Sequence, residues 1–292
     1  MKNWGRVTEG KEMKELTTFR IGGPVDFFAE PNSVEEVRNI LADAKDQGLD
    51  WMVMGAGSNL LVSDKGIRGI VMRLGDRFSS VHHSGTVLTA GAMASLADVA
   101  NYTVAAGLTG LEFSHGIPGT VGGAMTMNAG AYDGEMKDVV LSVTALTPDG
   151  ELVTYSNAEM DFGYRHSRVY EEHLIVLSVD FQLAAGEREQ IQGKIDDFWQ
   201  RRNAKQPLEM ASAGSTFKRP VGYYAGQLID QAGLRGIQHR GAQVSQKHCG
   251  FVVNTGEATC QDVVELIHLV QEAVYAKHGV ELEPEVKVIG EL

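Results

Sequence analysis

The passage "GIPGTVGGAMTMNAGAYDG", Gly116 to Gly134, carries six glycines in nineteen residues, and its only ionisable side chains are Tyr132 and Asp133. Glycine loses more freedom on ordering than any other residue. It is kept where φ is positive or where a group must come close to the backbone. Two readings follow: a tight buried turn between packed elements, or a loop whose N–H groups cradle an anion such as a phosphate. Thr120 and Asn128 add neutral hydrogen-bonding groups to it. A second stretch, "GAGSNL" at Gly55 to Leu60, follows an apolar run. It departs from the dinucleotide fingerprint G-x-G-x-x-G at Leu60, although Asp76 stands near the place of that motif's ribose-binding acid. Only "LLVSDKGIR" separates it from the next apolar run, which is too short for a crossover helix. It reads as a turn binding another kind of diphosphate, or as a plain strand-to-strand turn.

Three single residues also offer chemistry: Arg165 in "FGYRHSR", Ser215 in "AGSTFKRP" and Glu285 in "EPEVKVIG". Taken alone, each reads as structural: a surface arginine, a turn serine, an edge-strand carboxylate. The P-loop pattern, the G-x-S-x-G elbow and H-E-x-x-H are all absent from the sequence. His82 and His83 are adjacent in a strand-like stretch and face opposite ways, so no metal site is expected.

The elements that must position these groups come from hydrophobic pattern and capping. "SVEEVRNILADAKDQG" is a helix opened by a Ser33/Glu36 capping box and closed by Gly48. "SLADVANYTVAAG" is a second helix, stopped at Gly107. "EREQIQGKIDDFWQRRNAK" is amphipathic, with Ile191, Ile195, Phe198 and Trp199 on one side. "TCQDVVELIHLVQEAVYAKHG" is the clearest helix, from Thr259 to Gly279. "WMVM", "GIVMRL", "HLIVLSVDFQL" and "PEVKVIG" read as strands. "VVLSVTALTPDGELVTYS" reads as a hairpin around Pro148-Asp149-Gly150. Helices and strands are mixed with no regular βαβ rhythm, so the fold class is α+β.

The chain has 292 residues, 43% apolar and 22% charged, with a net charge of −12. That suits a globular protein of two or three compact parts. The absence of a basic run argues against a nucleic-acid footprint, and an acidic chain that takes an anionic ligand must gather its few cations in a pocket. Apolar runs are strand-length, so no membrane insertion is expected, and the first residues lack a signal-peptide pattern. Cys249 and Cys260 are too few for a disulfide framework and form no C-x-x-C, which fits a reducing cytoplasm. Cys249 reads as a buried apolar residue rather than a nucleophile. No obligate protein partner is evident.

Seven ordered motifs go beyond these readings: "TTFRIGGPVDFFAEP", "GAGSNLLVSDKGIRGIVMRL", "GLEFSHGIPGTVGGAMTMNAGAY", "YRHSR", "AGSTFKRP", "GAQVSQKHCGFVVN" and "LEPEVKVIG". Together they resemble the UDP-N-acetylenolpyruvoylglucosamine reductase family over about residues 16 to 290, in its shorter branch without a tyrosine-loop insertion. The resemblance implies a vanillyl-alcohol-oxidase-type FAD-binding fold of two subdomains plus a smaller α+β substrate-binding domain. It implies boundaries of 1–76 joined by 280–292, then 77–204, then 205–279. It implies noncovalent FAD, NADPH as co-substrate, and a small UDP-sugar whose enolpyruvyl group is reduced.

Residue by residue, the resemblance places Gly55, Ala56, Gly57, Ser58, Asn59 and Leu60 on one side of the FAD pyrophosphate. Pro118, Gly119, Thr120, Gly122 and Gly123 would face it, continued by Asn128, Gly130, Ala131 and Tyr132. Arg165 matches the arginine that pairs with the substrate carboxylate, Ser215 the proton donor and Glu285 the active-site carboxylate. Lys205 and Arg219 match positions near the substrate's phosphates and carboxylate, and Lys218 stands beside them as a possible aid to Ser215. Asp133 stands where the family pattern suggests glycine, and His115 precedes the second loop in a packing or hydrogen-bonding role. Another FAD oxidase or dehydrogenase of the same fold, or a non-catalytic flavin-binding module, would keep the glycine loops without needing Arg165, Ser215 and Glu285 together.

Overall fold

Ser33 Oγ accepts a hydrogen bond from Glu36 N at 3.2 Å and starts α1, Val34–Gln47; Gly48 ends it with φ +64°. The reciprocal bond of the capping box is shifted by one residue, because Glu36 Oε2 accepts from Asn32 N at 2.6 Å. The remaining helices are α2 (Leu96–Ala106), α3 (Val121–Met127), α4 (Arg168–Glu171), α5 (Arg188–Lys205), α6 (Ala225–Gln231) and α7 (Cys260–His278). This computed structural model describes residues 3–291. The chain forms two compact units. The first is Met1–Thr8, Phe28–Ala56 and Ile70–Arg202; the second is Glu9–Phe27, Gly57–Gly69 and Asn203–Leu292.

In the first unit, five antiparallel strands run in the order Leu152–Ser156, Val140–Leu146, Ile175–Gln182, Val87–Gly91, Val81–Ser84. The expected hairpin is its edge, turned at Thr147–Glu151 with Gly150 at φ +81°. Trp51–Val53 pairs in parallel with Ile70–Met72. These strands stand in a four-stranded sheet whose other members are Pro24–Glu30 and Arg6–Glu12. "RVTEGKE" carries no apolar alternation and lies at the sheet's edge, which is why pattern alone does not reveal it. The α5 stripe departs from expectation at its far end. Ile191, Ile195 and Arg202 are buried, while Trp199 is 43% exposed. The buried residues follow i, i+4 and i+11, so the stripe continues onto the stem of an arginine.

The second unit packs α7 on a three-stranded antiparallel sheet of Gln238–His239, Ala242–Val244 and Val252–Asn254. Val263, Leu266, Ile267, Val270 and Val274 of α7 share one core with Phe19, Ile21, Leu61, Phe217 and Val286. Thr259 and Asp262 form a full capping box, and Gly279 closes the helix at φ +66°. Leu60–Val62 pairs in parallel with Lys287–Ile289. Residues near the chain's end are thereby built into a core that begins at residue 19.

Candidate active site

In the first unit the two glycine stretches touch. A Cβ on Gly55 would lie 2.3 Å from Thr120 Oγ1. Thr120 is the N-cap of α3, accepting from Gly123 N at 3.4 Å. Leu96 N donates to Gly119 O, Val121 N to Ala94 O and Gly122 N to Ala92 O, so the second stretch is stitched to residues 92–96. Its middle is therefore a short helix rather than an open loop.

Several of its glycines answer to packing. A Cβ would meet Arg202 Cδ at 3.1 Å from Gly116, Ala92 Cβ at 3.2 Å from Gly122, and Phe113 Cδ1 at 2.7 Å from Gly134. The two readings of this stretch merge: close packing builds a wall of bare backbone at Gly55 and Thr120. A methyl group at Gly55 would fill that contact, and neutral backbone beside a hydroxyl suits a diphosphate. These residues fit the FAD implied by the sequence.

The turn after α3 explains Asp133. Gly130–Ala131 pairs with Gly134–Glu135, leaving Tyr132 and Asp133 as a two-residue hairpin with φ +51° and +65°. A type I′ turn needs positive φ at both places, and aspartate tolerates it where most residues do not. Tyr132 is committed to α5: its ring stacks on Phe198 at 4.5 Å and its hydroxyl donates to Phe198 O at 3.1 Å. Arg202 lies over the same ring at 5.8 Å. His115 meets Trp199 edge-on at 5.9 Å. Burial pushes the His115 imidazole down, opposed by Asp196 and helped by Arg202. Both the ring and the hydroxyl of Tyr132 are thus engaged with α5.

Asn128 is fully buried, with φ +41°. Its amide donates to Glu135 Oε2 at 2.6 Å and Gly163 O at 3.0 Å, and its carbonyl accepts from Lys137 N at 2.9 Å. The side chain ties the glycine stretch to the turn that carries Arg165. Gly163 and His166 exchange backbone bonds at 3.0 and 3.3 Å, leaving Tyr164 and Arg165 at the turn. Arg165 has φ +56°, and its guanidinium carbon lies 5.1 Å from the Tyr164 ring centre. A non-glycine residue held there stores roughly 1–3 kcal/mol, which points to a demand on the side chain's direction.

The second unit holds Ser215, Glu285, Lys205, Lys218 and Arg219. Gly214 takes φ +75° and turns the chain into Ser215, which is half-buried. The next residue, Thr216, is the organiser that sequence reading passed over. Its N–H donates to Gly250 O at 2.8 Å, its Oγ1 accepts from Val252 N at 2.8 Å, and its carbonyl accepts from Glu285 N at 2.8 Å. Phe217 bridges Pro284, and Lys218 N donates to Glu283 O at 2.8 Å. Ser215 and Glu285 thus sit on two extended segments joined by an isolated antiparallel bridge. Asn59 joins them, donating to Glu285 O at 3.2 Å and accepting from Lys287 N at 2.9 Å. Thr18 brings in a further loop by donating to Ser212 O at 2.7 Å.

The cations differ in what they can do. Lys218 is paired with Glu283, so its charge is partly answered. Arg219 is exposed and lies over the Tyr224 ring at 4.1 Å. Lys205 is exposed at the end of α5. Among the described residues no His/Cys/Asp/Glu group could hold a metal ion, and no helix is long and apolar enough to cross a membrane.

Comparison with known proteins places the chain in a family. The "FAD binding domain" family matches residues 25–156, and "UDP-N-acetylenolpyruvoylglucosamine reductase, C-terminal domain" matches residues 206–289. UDP-N-acetylenolpyruvoylglucosamine reductase of Clostridioides difficile is 49% identical, covering 96% of this chain and 92% of that protein. The enzyme of the same name from Agathobacter rectalis is 51% identical, covering 98% and 94%. The crystal structure of the Thermus caldophilus reductase superposes with a TM-score of 0.86 at 36% identity, covering 97% of this chain and 98% of that one. The fold is α+β, with an FAD-binding domain and a smaller α+β part. The chain belongs to the UDP-N-acetylenolpyruvoylglucosamine reductase family, FAD-dependent oxidoreductases of peptidoglycan precursor synthesis.

Proposed function

We propose that this protein reduces the enolpyruvyl group of UDP-N-acetylenolpyruvoylglucosamine to give UDP-N-acetylmuramate, with NADPH as the electron source. The observation that carries the residue assignment is the bond from Glu285 N to Thr216 O, which sets Ser215 and Glu285 on adjacent, bridged segments. FAD, when bound, supplies a hydride to the far carbon of the enolpyruvyl double bond. Gly55, Thr120 and their neighbouring backbone hold its pyrophosphate. Arg165 binds the substrate carboxylate and stabilises the charge that spreads into it as an enolate; a fixed cation does this best in a dry site. Ser215 delivers the proton to the neighbouring carbon, and Glu285 orients the enol or shares that proton. Lys205 and Arg219 hold the diphosphate. Lys218, bound to Glu283, acts through the extended segment that carries Ser215. The buried free thiols Cys249 and Cys260 suit a reducing cytoplasm, where we place the activity.

A yellow preparation mixed anaerobically with NADPH should bleach, and adding the enolpyruvyl UDP-sugar should restore the colour. Bleaching without substrate-driven recovery would overturn the substrate assignment. NADH bleaching the flavin as fast as NADPH would overturn the choice of electron source.

A further inference from the structure

We propose that His248 is a positioning residue for Ser215, acting through the Gly250 peptide that its Nδ1 holds in place. The inference rests on the reading of Ser215 as proton donor. His248 sits inside its own loop. Ser245 Oγ accepts from Lys247 N at 3.1 Å and His248 N at 3.2 Å, Phe251 N donates to His248 O at 3.0 Å, and Ser245 N donates to Phe251 O at 2.8 Å. Within that ring, Gly250 N donates to His248 Nδ1 at 3.1 Å. The carbonyl of the same Gly250 accepts from Thr216 N at 2.8 Å, and Thr216 adjoins Ser215 and bonds Glu285. Three linked bonds therefore run from an imidazole to the junction of both candidate reacting residues.

The fit around the ring is close. A Cβ on Gly250 would lie 2.9 Å from His248 Cε1, and a Cβ on Gly226, in the first turn of α6, would lie 3.1 Å from it. Phe251 closes another side, edge-on at 5.2 Å. Such packing leaves the imidazole one orientation. An Nδ1 that accepts fixes the proton on Nε2. Protonation would place two donors head to head and break the bond to Gly250.

The surroundings oppose that protonation. Burial pushes the imidazole down, and the Arg235 and Lys205 cations act in the same direction, against an opposing backbone hydrogen bond. The charged groups acting on the ring are those two cations; Lys247 and Cys249 flank it in sequence, and Asp230 and Glu209 answer Arg235 and Lys247. Arg235 forms a two-pronged pair with Asp230 at 2.9 and 2.7 Å, Cys249 Sγ lies 3.7 Å from Asp230, and Lys247 is 3.6 Å from Glu209. A satisfied core histidine would need none of the onward bonds to Thr216.

The test uses the FAD-loaded enzyme, reduced with dithionite and mixed anaerobically with the enolpyruvyl UDP-sugar across pH 5 to 8. His248→Phe keeps a ring but no acceptor, and should slow flavin reoxidation about ten- to a hundredfold, the scale of a misplaced reacting group. Its flavin content should be unchanged. Wild-type reoxidation should slow toward pH 5 as protonation breaks the Gly250 bond, and a flat wild-type profile overturns the proposal. His248→Asn restores an acceptor that cannot be protonated, and should recover the rate and lose that fall. His248→Phe reoxidising at the wild-type rate, or His248→Asn keeping the acid fall, overturns the proposal. Should His248→Phe not fold, the acid limb of His248→Asn decides alone. Ser215→Ala in the same experiment separates the two ideas: if it is not slowed, the proton-donor reading fails and this proposal falls with it. If it is slowed while both His248 variants behave as wild type, only the role of His248 is lost.

Discussion

Arg165 and Ser215 are both presented by tight turns, but the turns place their conformational burden differently. At the first, the left-handed residue is the candidate catalytic residue itself, Arg165 at φ +56°. At the second, the left-handed residue is Gly214 at φ +75°, and Ser215 follows it in ordinary backbone. Glycine adopts that region freely, whereas an arginine must be forced there by its surroundings. Those surroundings are visible: the Gly163–His166 bridge, and Asn128 anchoring Gly163 from the end of α3. The Ser215 turn is held instead by its neighbour Thr216, whose three bonds reach two distant segments, 250–252 and Glu285. A long side chain that binds charge can be aimed by straining its own backbone. A short hydroxyl has almost no reach, so its whole peptide must be placed.

The largest effect that would sharpen this contrast is expected at Ser215. Ser215→Ala should leave flavin reduction within a few-fold and slow substrate-driven reoxidation by about 10²–10⁴, as loss of a positioned acid does. Stopped-flow flavin absorbance measures both halves. Equal minor changes in the two would return Ser215 to the status of a turn residue.

Arg165 allows the comparison to be broken on purpose. Arg165→Met should slow reoxidation by about 10²–10³, since removing one stabiliser of developing charge has that size. Arg165→Gly should lose activity similarly, yet raise the urea midpoint, because glycine relieves the strained φ. If Arg165→Gly instead destabilises the protein, the turn is not strained and the contrast is wrong.

Gly214→Ala should behave in the opposite way. Nothing lies within 4 Å of a Cβ there, so the change adds only backbone strain. A loss of about 1–2 kcal/mol in urea unfolding is expected. Activity should fall only as far as Ser215 is displaced.

The smallest effect is in pH. His115 in the first unit and His248 in the second are both held below the ordinary imidazole value by burial. The unfolded chain then binds more protons near and below its own value of about 6.5. Stability from these groups is complete above that pH and is lost as pH falls through the folded values. The urea midpoint should therefore drop between pH 7.5 and 5, and His248→Asn should flatten that drop in part. A midpoint independent of pH over this range would contradict the burial of both rings.

Much of this molecule could be read without coordinates. Ser33, Gly48, Gly107, Thr259 and Gly279 mark helix ends through local hydrogen bonding and backbone freedom, and the structure honours each. Local rules of this kind need only neighbouring residues, so sequence suffices. The glycine-rich stretches were legible as places of bare backbone for the same reason.

Other decisions belong to the tertiary structure. Whether Gly116, Gly122 and Gly134 serve packing depends on Arg202, Ala92 and Phe113, residues that no local pattern connects to them. Thr216 looks like an ordinary polar residue in the sequence; it matters because Gly250 and Glu285 are folded against it from far along the chain, and His248 matters only because its neighbour Gly250 carries the link onward to Thr216. That Asn128 braces the Arg165 turn likewise depends on Gly163, thirty-five residues away. The sequence determined which residues could bend the backbone, carry charge or move a proton. Only long-range pairing decided which peptide each would hold, because a hydrogen bond between distant segments is specified by the packing of the whole core and not by the residues at its two ends.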